Sequence, residues 1–186
     1  LCRYQHIWNI DLCFRPAFLG GIMQATGNEP PGMLSKRGEY ILKDIKRMGK
    51  YYQVPIQVSA EHLQRLLDKV PLSLGAMRFI TAIDVTQPQF LEPVSREFWI
   101  RFWSQVSILQ SQILVAAQAG LSSEQAQKLL EMVSSPAVKN RLRGTTDNAV
   151  KYGAFGMPAI VAHFNGEEHL FFGCDRIELL ASIIGE

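Results

Sequence analysis

The chain has 186 residues, 47% of them hydrophobic, with 19 basic and 17 acidic side chains and a formal charge of +2. That length supports one good core and an inserted subdomain, while the near balance of charge, with no Lys/Arg run interleaved with aromatics, argues against a nucleic-acid footprint. Cys2, Cys13 and Cys174 form no C-x-x-C pair, so free thiols are expected; no apolar run reaches the ~20 residues of a spanning helix, and the expectation is that no signal peptide precedes the first segment.

The chain opens at Leu1, without methionine or capping residue, inside a helical pattern in which Leu1, Tyr4 and Trp8 share a face. The expectation is a helix that begins in mid-course, with something upstream missing. Ile10, Leu12 and Phe14 then alternate with Asp11, Cys13 and Arg15 ahead of Pro16, which predicts a strand with one buried face. A helix followed by such a strand is the second half of a βαβ unit, whose first strand would be the missing piece. Residues 17–23 are apolar enough for a further short element. The stretch Thr26-Gly27-Asn28-Glu29-Pro30-Pro31-Gly32 is a loop by composition. Two readings of Asn28 stay open: its amide stabilises the turn through its own backbone, or it meets a peptide-like ligand as donor and acceptor together.

From Ser35 to about Tyr152 the periodicity is helical. Stripes run through Ile41, Leu42, Ile45 and Met48, through Leu63, Leu66, Leu67 and Val70, through Phe79, Ile80 and Ile83, and through Leu91, Val94, Phe98 and Phe102. Pro55, Pro71, Pro88 and Pro136 mark boundaries. Ser122-Ser123-Glu124-Gln125 is a capping box, and Ser135-Pro136 supplies a cap and a first-turn proline. The aromatic cluster Phe98, Trp99, Phe102 and Trp103 reads as core or subunit interface at helical spacing. Arg96, Arg101 and the Lys36-Arg37 pair read as solvated charges, although Lys36-Arg37 closes the Asn28 loop and can reach an anion there. His6, His62, His163 and His169 lack metal-ligand spacing, so no metal is expected.

The last segment carries the densest signals. A helix ends near Gly153, Pro158 leads a buried strand, Asn165-Gly166 marks a hairpin, and a second strand runs to Phe172. Pro158 is a cis-proline candidate; a cis bond would turn the N–H and C=O of Met157 outward as a backbone edge. Asp175, with Glu178 three residues on, is expected to cap a final helix through Ile177, Leu179, Leu180, Ile183 and Ile184. Cys174-Asp175 at that helix start is either a plain cap or an anion site.

Strand, helical insertion, helix, proline-led hairpin and terminal helix is the order of a thioredoxin-like domain split by helices, as in the DsbA-like group. The chain resembles the kappa-class glutathione S-transferases over its whole length, through Leu1-Cys2-Arg3-Tyr4-Gln5, Gly27-Asn28 with Pro30-Pro31-Gly32, Ser73-Leu74-Gly75-Ala76-Met77-Arg78-Phe79, Tyr152-Gly153-Ala154-Phe155-Gly156-Met157-Pro158, and Phe172-Gly173-Cys174-Asp175-Arg176 with Glu178-Leu179-Leu180. The resemblance implies an α/β fold: a discontinuous thioredoxin-like, glutathione-binding domain of residues 1–34 and 144–186, and a helical insertion of residues 35–143.

It further implies a homodimeric detoxification enzyme of the mitochondrial matrix or peroxisome, conjugating the thiolate of glutathione, its co-substrate, to electrophiles such as halogenated nitroaromatics. No cofactor is implied. By position, Asn28 contacts the tripeptide, Met157 offers its backbone to the cysteinyl part, Cys174 and Asp175 receive the γ-glutamyl end, and Arg37 stands where the family has a lysine. The departures are specific. The family's first strand and its Ser-Pro-Tyr-Ser-like motif are absent, so the catalytic serine is expected upstream of Leu1. Cys174 stands in place of a serine, and the segment from Gln105 to Gln112 lacks the family's acidic residues. The expectation is a polypeptide with little or no transferase activity. The alternative is a non-catalytic truncated isoform or pseudogene product that retains only helical-domain or dimerisation contacts. DsbA-type disulfide exchange would need a paired thiol, which the sequence lacks.

Overall fold

The computed structural model describes residues 1–30, 35–59, 61, 73–105 and 112–186. The expected stripe from Leu63 to Val70, Pro71 and most of the segment from Gln105 to Gln112 lie outside them. In chain order the described elements are helices α1 (Leu19–Thr26), α2 (Ser35–Tyr51), α3 (Ser73–Thr86), α4 (Leu91–Trp103), α5 (Gln112–Gln118), α6 (Ser123–Met132) and α7 (Pro136–Lys151), strands β1 (Ala159–Phe164) and β2 (Glu167–Phe172), and helix α8 (Ile177–Ile184). A 3-10 turn over Pro88–Phe90 leads into α4. The chain divides into two compact units, residues 1–28 with 144–186, and residues 29–143.

The all-helical unit is built on local signals. The Ser122 hydroxyl accepts from the Gln125 N–H at 3.1 Å while Gln125 Oε1 accepts from the Ser122 N–H at 2.8 Å, a reciprocal cap that fixes the start of α6. Ser135 accepts from Val138 N at 3.3 Å, and Pro136 opens α7, where its missing N–H removes no helical bond. Phe79, Ile83, Val94, Val115 and Leu129 are fully buried between the helices, each worth about 1.5–3 kcal/mol relative to exposure. Arg101 departs from the solvated role read from the sequence. It is only 7% exposed, and its Nε and a terminal nitrogen donate to Gln118 Oε1 at 3.2 and 2.6 Å. Its position on the inner stripe of α4 carries the guanidinium inward, so the charge is solvated by an amide in place of water.

In the other unit, β1 and β2 pair antiparallel from Ala159↔Phe172 to Phe164↔Glu167. Asn165 and Gly166 both take positive φ, 52° and 81°, as a two-residue turn matched to strand twist requires. Among the described residues this pair is the whole sheet. The expected first helix and strand do not form as such. Residues 2–9 are a series of turns whose bonds mix i→i−3 (Tyr4 N to Leu1 O, 2.8 Å) with i→i−4 (Trp8 N to Tyr4 O, 2.7 Å), and the Asn9 N–H leaves the pattern for Glu186 Oε1 at 2.8 Å. The predicted contact survives, since Tyr4 and Trp8 stack at 4.4 Å. Residues 10–15 have the expected alternation, with Ile10, Leu12 and Phe14 half-buried and Asp11, Cys13 and Arg15 exposed, but they join no ladder. A strand is defined by its neighbour, and no described segment supplies one.

The segment that follows is pinned to α7. Thr145 Oγ1 donates to Pro16 O, and Thr146 Oγ1 accepts from Phe18 N at 3.0 Å. Against the threonine side of α7, Gly21 leaves room: a Cβ there would stand 3.1 Å from Thr146 Cγ2. Ile22, Ala154, Phe171 and Leu180 bury the centre of this unit.

Candidate functional site: a loop cluster at one end of the hairpin

The hairpin has its turn at one end and three converging loops at the other. There the N-terminal end of β1 meets the C-terminal end of β2, because Gly173 N donates to Pro158 O at 3.0 Å and extends the ladder by one bond. That bond sets Met157-Pro158 beside Gly173-Cys174-Asp175. The Met157–Pro158 peptide bond is cis. Neither backbone group of Met157 bonds to a described residue.

The third loop follows α1, which ends on Gly27 in the left-handed conformation, φ 69°. It delivers Asn28, whose Nδ2 donates to Phe155 O at 2.7 Å across 127 positions of sequence. The amide therefore ties its loop to the chain just before Met157, a role that neither sequence reading of Asn28 contained. Gly156 follows. A Cβ there would lie 2.8 Å from Phe172 Cε2, so only glycine lets the chain pass between the Phe172 ring and the Asn28 amide.

Two aromatic rings that sequence reasoning left inside motifs are part of this cluster. Phe155 and Phe172 pack with centroids 4.5 Å apart, yet remain 44% and 43% exposed. The available signal was their flanking of Gly156 and Gly173, two glycines at the close approach.

Asp175 does not cap α8. The N-cap position belongs to Arg176, whose side chain makes no capping bond. The Asp175 carboxylate instead lies 3.3 Å from Arg176 Nη2 and turns back over Gly173, where a Cβ would meet its Oδ1 at 2.6 Å. The physical reason is the start of the helix one residue later than the capping pattern implies, which puts Asp175 out of reach of its first-turn N–H groups. Those groups and the positive end of the α8 dipole thus face the Cys174-Asp175 loop without a side-chain cap from Arg176. Cys174 is exposed and not in a disulfide.

The structure brings Asn28, Met157, Cys174 and Asp175 together within one unit. Arg37 belongs to the other, exposed on α2. Chemically the cluster offers an unused backbone N–H and C=O, a carboxylate, a helix N-terminus and two exposed rings, which is what an extended, zwitterionic small peptide requires. Among the described residues, no group of three or more His, Cys, Asp or Glu side chains is arranged to hold a metal.

The profile of the DSBA-like thioredoxin domain family matches residues 1–185. The chain is 48% identical over 189 residues to glutathione S-transferase kappa 1 of Homo sapiens, with all of this chain and 83% of the relative aligned. The protein of that name from Rattus norvegicus has the same identity and coverage. A Caenorhabditis elegans glutathione S-transferase kappa 1 is 28% identical over 177 residues, 94% of this chain and 77% of the relative.

Proposed function

Since the chain belongs to the DSBA-like thioredoxin family and, within it, to the kappa-class glutathione S-transferases, we propose that it binds glutathione at the hairpin-end cluster as a glutathione transferase. The observation that carries the reading is the Gly173-to-Pro158 bond, which sets an unpaired Met157 backbone beside Asp175 and the start of α8. In this reading the Met157 N–H and C=O pair with the cysteinyl residue as an added strand would. Asp175 receives the ammonium of the γ-glutamyl end, and the N–H groups at the start of α8 receive its carboxylate. Asn28 acts chiefly by holding Phe155 and the residues after it in place.

Electrophiles such as halogenated nitroaromatics are the proposed second substrates, and a homodimer in the mitochondrial matrix or peroxisome is the proposed assembly and compartment. Catalysis needs one more element. The residues assembled here, Asn28, Phe155, Met157, Cys174 and Asp175, include no hydroxyl to stabilise a thiolate. A thiol near its ordinary pKa of about 8.5 is only a few per cent ionised at neutral pH. The polypeptide of these 186 residues is therefore proposed to bind glutathione and to turn over slowly. That same lack of a hydroxyl favours a second reading, a non-catalytic binding protein.

Calorimetric titration with glutathione, run beside an assay with 1-chloro-2,4-dinitrobenzene, separates the two. Saturable binding with measurable conjugation supports the transferase. Binding without any conjugation supports the second reading, and no binding removes both.

A further inference from the structure

Helix α2 carries a charge distribution that extends well beyond Arg37, the one position on it that the resemblance assigns to glutathione. Its 17 residues hold six cations, Lys36, Arg37, Lys43, Lys46, Arg47 and Lys50, against the two carboxylates of Glu39 and Asp44. The whole chain has a formal charge of only +2, so this one helix is more positive than the protein. The pattern is invisible as a run because it is spread at helical spacing.

Lys43, Lys46, Arg47 and Lys50 are all exposed and pair with no described group. Lys36 pairs with Glu39 at 3.2 Å, and Asp44 is engaged by the Tyr40 hydroxyl at 3.4 Å. The two carboxylates are thus turned to partners other than the four free cations. The opposite side of α2 is half-buried through Ile41, Leu42, Ile45 and Met48, which holds the cationic side outward.

Apolar surface lies at the C-terminal end of this face. Tyr51 is 71% exposed just beyond the last cation and Val54 is 42% exposed, while a further ring, Tyr40, is 59% exposed on the N-terminal side of the four cations. After α2 the chain turns back, with Val54 N donating to Gly49 O at 2.8 Å. The turn borders an open hollow of about 460 Å³ whose lining includes Lys46 and Lys50 together with Val54, Pro55 and Ile56. A helix of this length extends roughly 25 Å, enough to lay its cations along a planar anionic surface. Exposed tyrosines and a hollow lined in part by Val54, Pro55 and Ile56 beside those cations suit the headgroup region of a bilayer. A phosphate backbone would use the same cations and tyrosine hydroxyls, but it offers no apolar phase for Val54, Pro55 and Ile56 to enter.

We propose that the exposed face of α2, with the hollow at its C-terminal end, is a peripheral docking surface for bilayers containing anionic phospholipid. The lipid phosphates would meet Lys43, Lys46, Arg47 and Lys50, and Tyr51 and Val54 would enter the interface. No helix crosses the membrane in this arrangement, consistent with the described helices, none of which is long and apolar enough to do so.

The test is co-sedimentation of the 186-residue protein with vesicles of phosphatidylcholine alone or mixed with phosphatidylglycerol. The expected result is pelleting with the mixed vesicles only, reversal by high salt, and a loss of about tenfold or more in partitioning for the double variant K43E/R47E. Y51A should reduce binding without altering its salt dependence. Circular dichroism and glutathione titration confirm that each variant is folded; if K43E/R47E is not, the neutral pair K43Q/R47Q decides. Equal pelleting with pure phosphatidylcholine, no pelleting at all, unchanged partitioning of the folded double variant, or tighter binding to an oligonucleotide than to the mixed vesicles would each overturn the proposal.

Discussion

Replacing Asn28 by alanine tests the site through a contact outside the conventional set of ligand groups. The amide of Asn28 spans from the loop after α1 to Phe155 O, two residues before Met157. Removing it deletes one partly exposed side chain to backbone hydrogen bond, about 0.5–1.5 kcal/mol, which for a chain of this size lowers the melting temperature by roughly 1–6 °C. The larger effect should fall on binding. If ~1 kcal/mol of the ordering of residues 155–157 comes from this bond, its loss weakens glutathione binding about fivefold, as the competent loop conformation becomes less populated. Asn28→Asp sharpens the test, because it preserves shape but places a carboxylate against the carbonyl of Phe155 and cannot donate. Calorimetry and thermal melts on both variants are the assay. A variant that melts lower yet binds glutathione with the original affinity would show that this loop does not form the site, and normal binding by Asn28→Asp would refute the positioning role outright.

The same packing sets four further outcomes. Gly156→Ala puts a methyl 2.8 Å from Phe172 Cε2 and should displace that ring, raising the dissociation constant for glutathione several-fold and costing about 1–3 kcal/mol in chemical denaturation. Asp175→Asn should weaken glutathione but leave the affinity for a des-amino analogue unchanged, measured by competition; equal losses for both ligands would count against an ammonium contact. Thr146→Val keeps the shape but strands the Phe18 N–H, at a cost of about 1–3 kcal/mol in chemical denaturation. Gly144→Ala meets no atom within 4 Å in mid-α7, so it should stabilise by roughly 0.5–1 kcal/mol through helix propensity; a lower melting temperature would contradict the helical assignment.

What could be read in the sequence was what short-range chemistry decides. The Ser122–Gln125 box, Ser135-Pro136 and Asn165-Gly166 each specify a local backbone geometry, and each is found where the residues put it. The hairpin-end loops were legible as motifs for the same reason. Residues 10–15 show the limit: their alternation states which side chains are covered, while strand character depends on a neighbour that no window of sequence contains. Arg101 and Asp175 show another. A side chain's partner across the fold, Gln118 for one, and a one-residue shift of helix start for the other, decide its role. Asn28 bonds to a carbonyl 127 positions away, a distance over which turn rules say nothing.

The discontinuity of the site-bearing unit also sets an order in time. Residues 1–28 and 144–186 pack with each other, and the helical unit lies between them in the chain. During synthesis at ~5–20 residues per second, the roughly 115 intervening residues take about 6–23 s to appear. For that interval Pro16 and Phe18 have been made without Thr145 and Thr146, the partners of their backbone groups, while the residues of α3 to α6 are all present. The hairpin-end cluster is therefore completed only after the whole helical unit has been made, and a nascent chain stalled before Gly144 would hold residues 1–28 without their partners in 144–186.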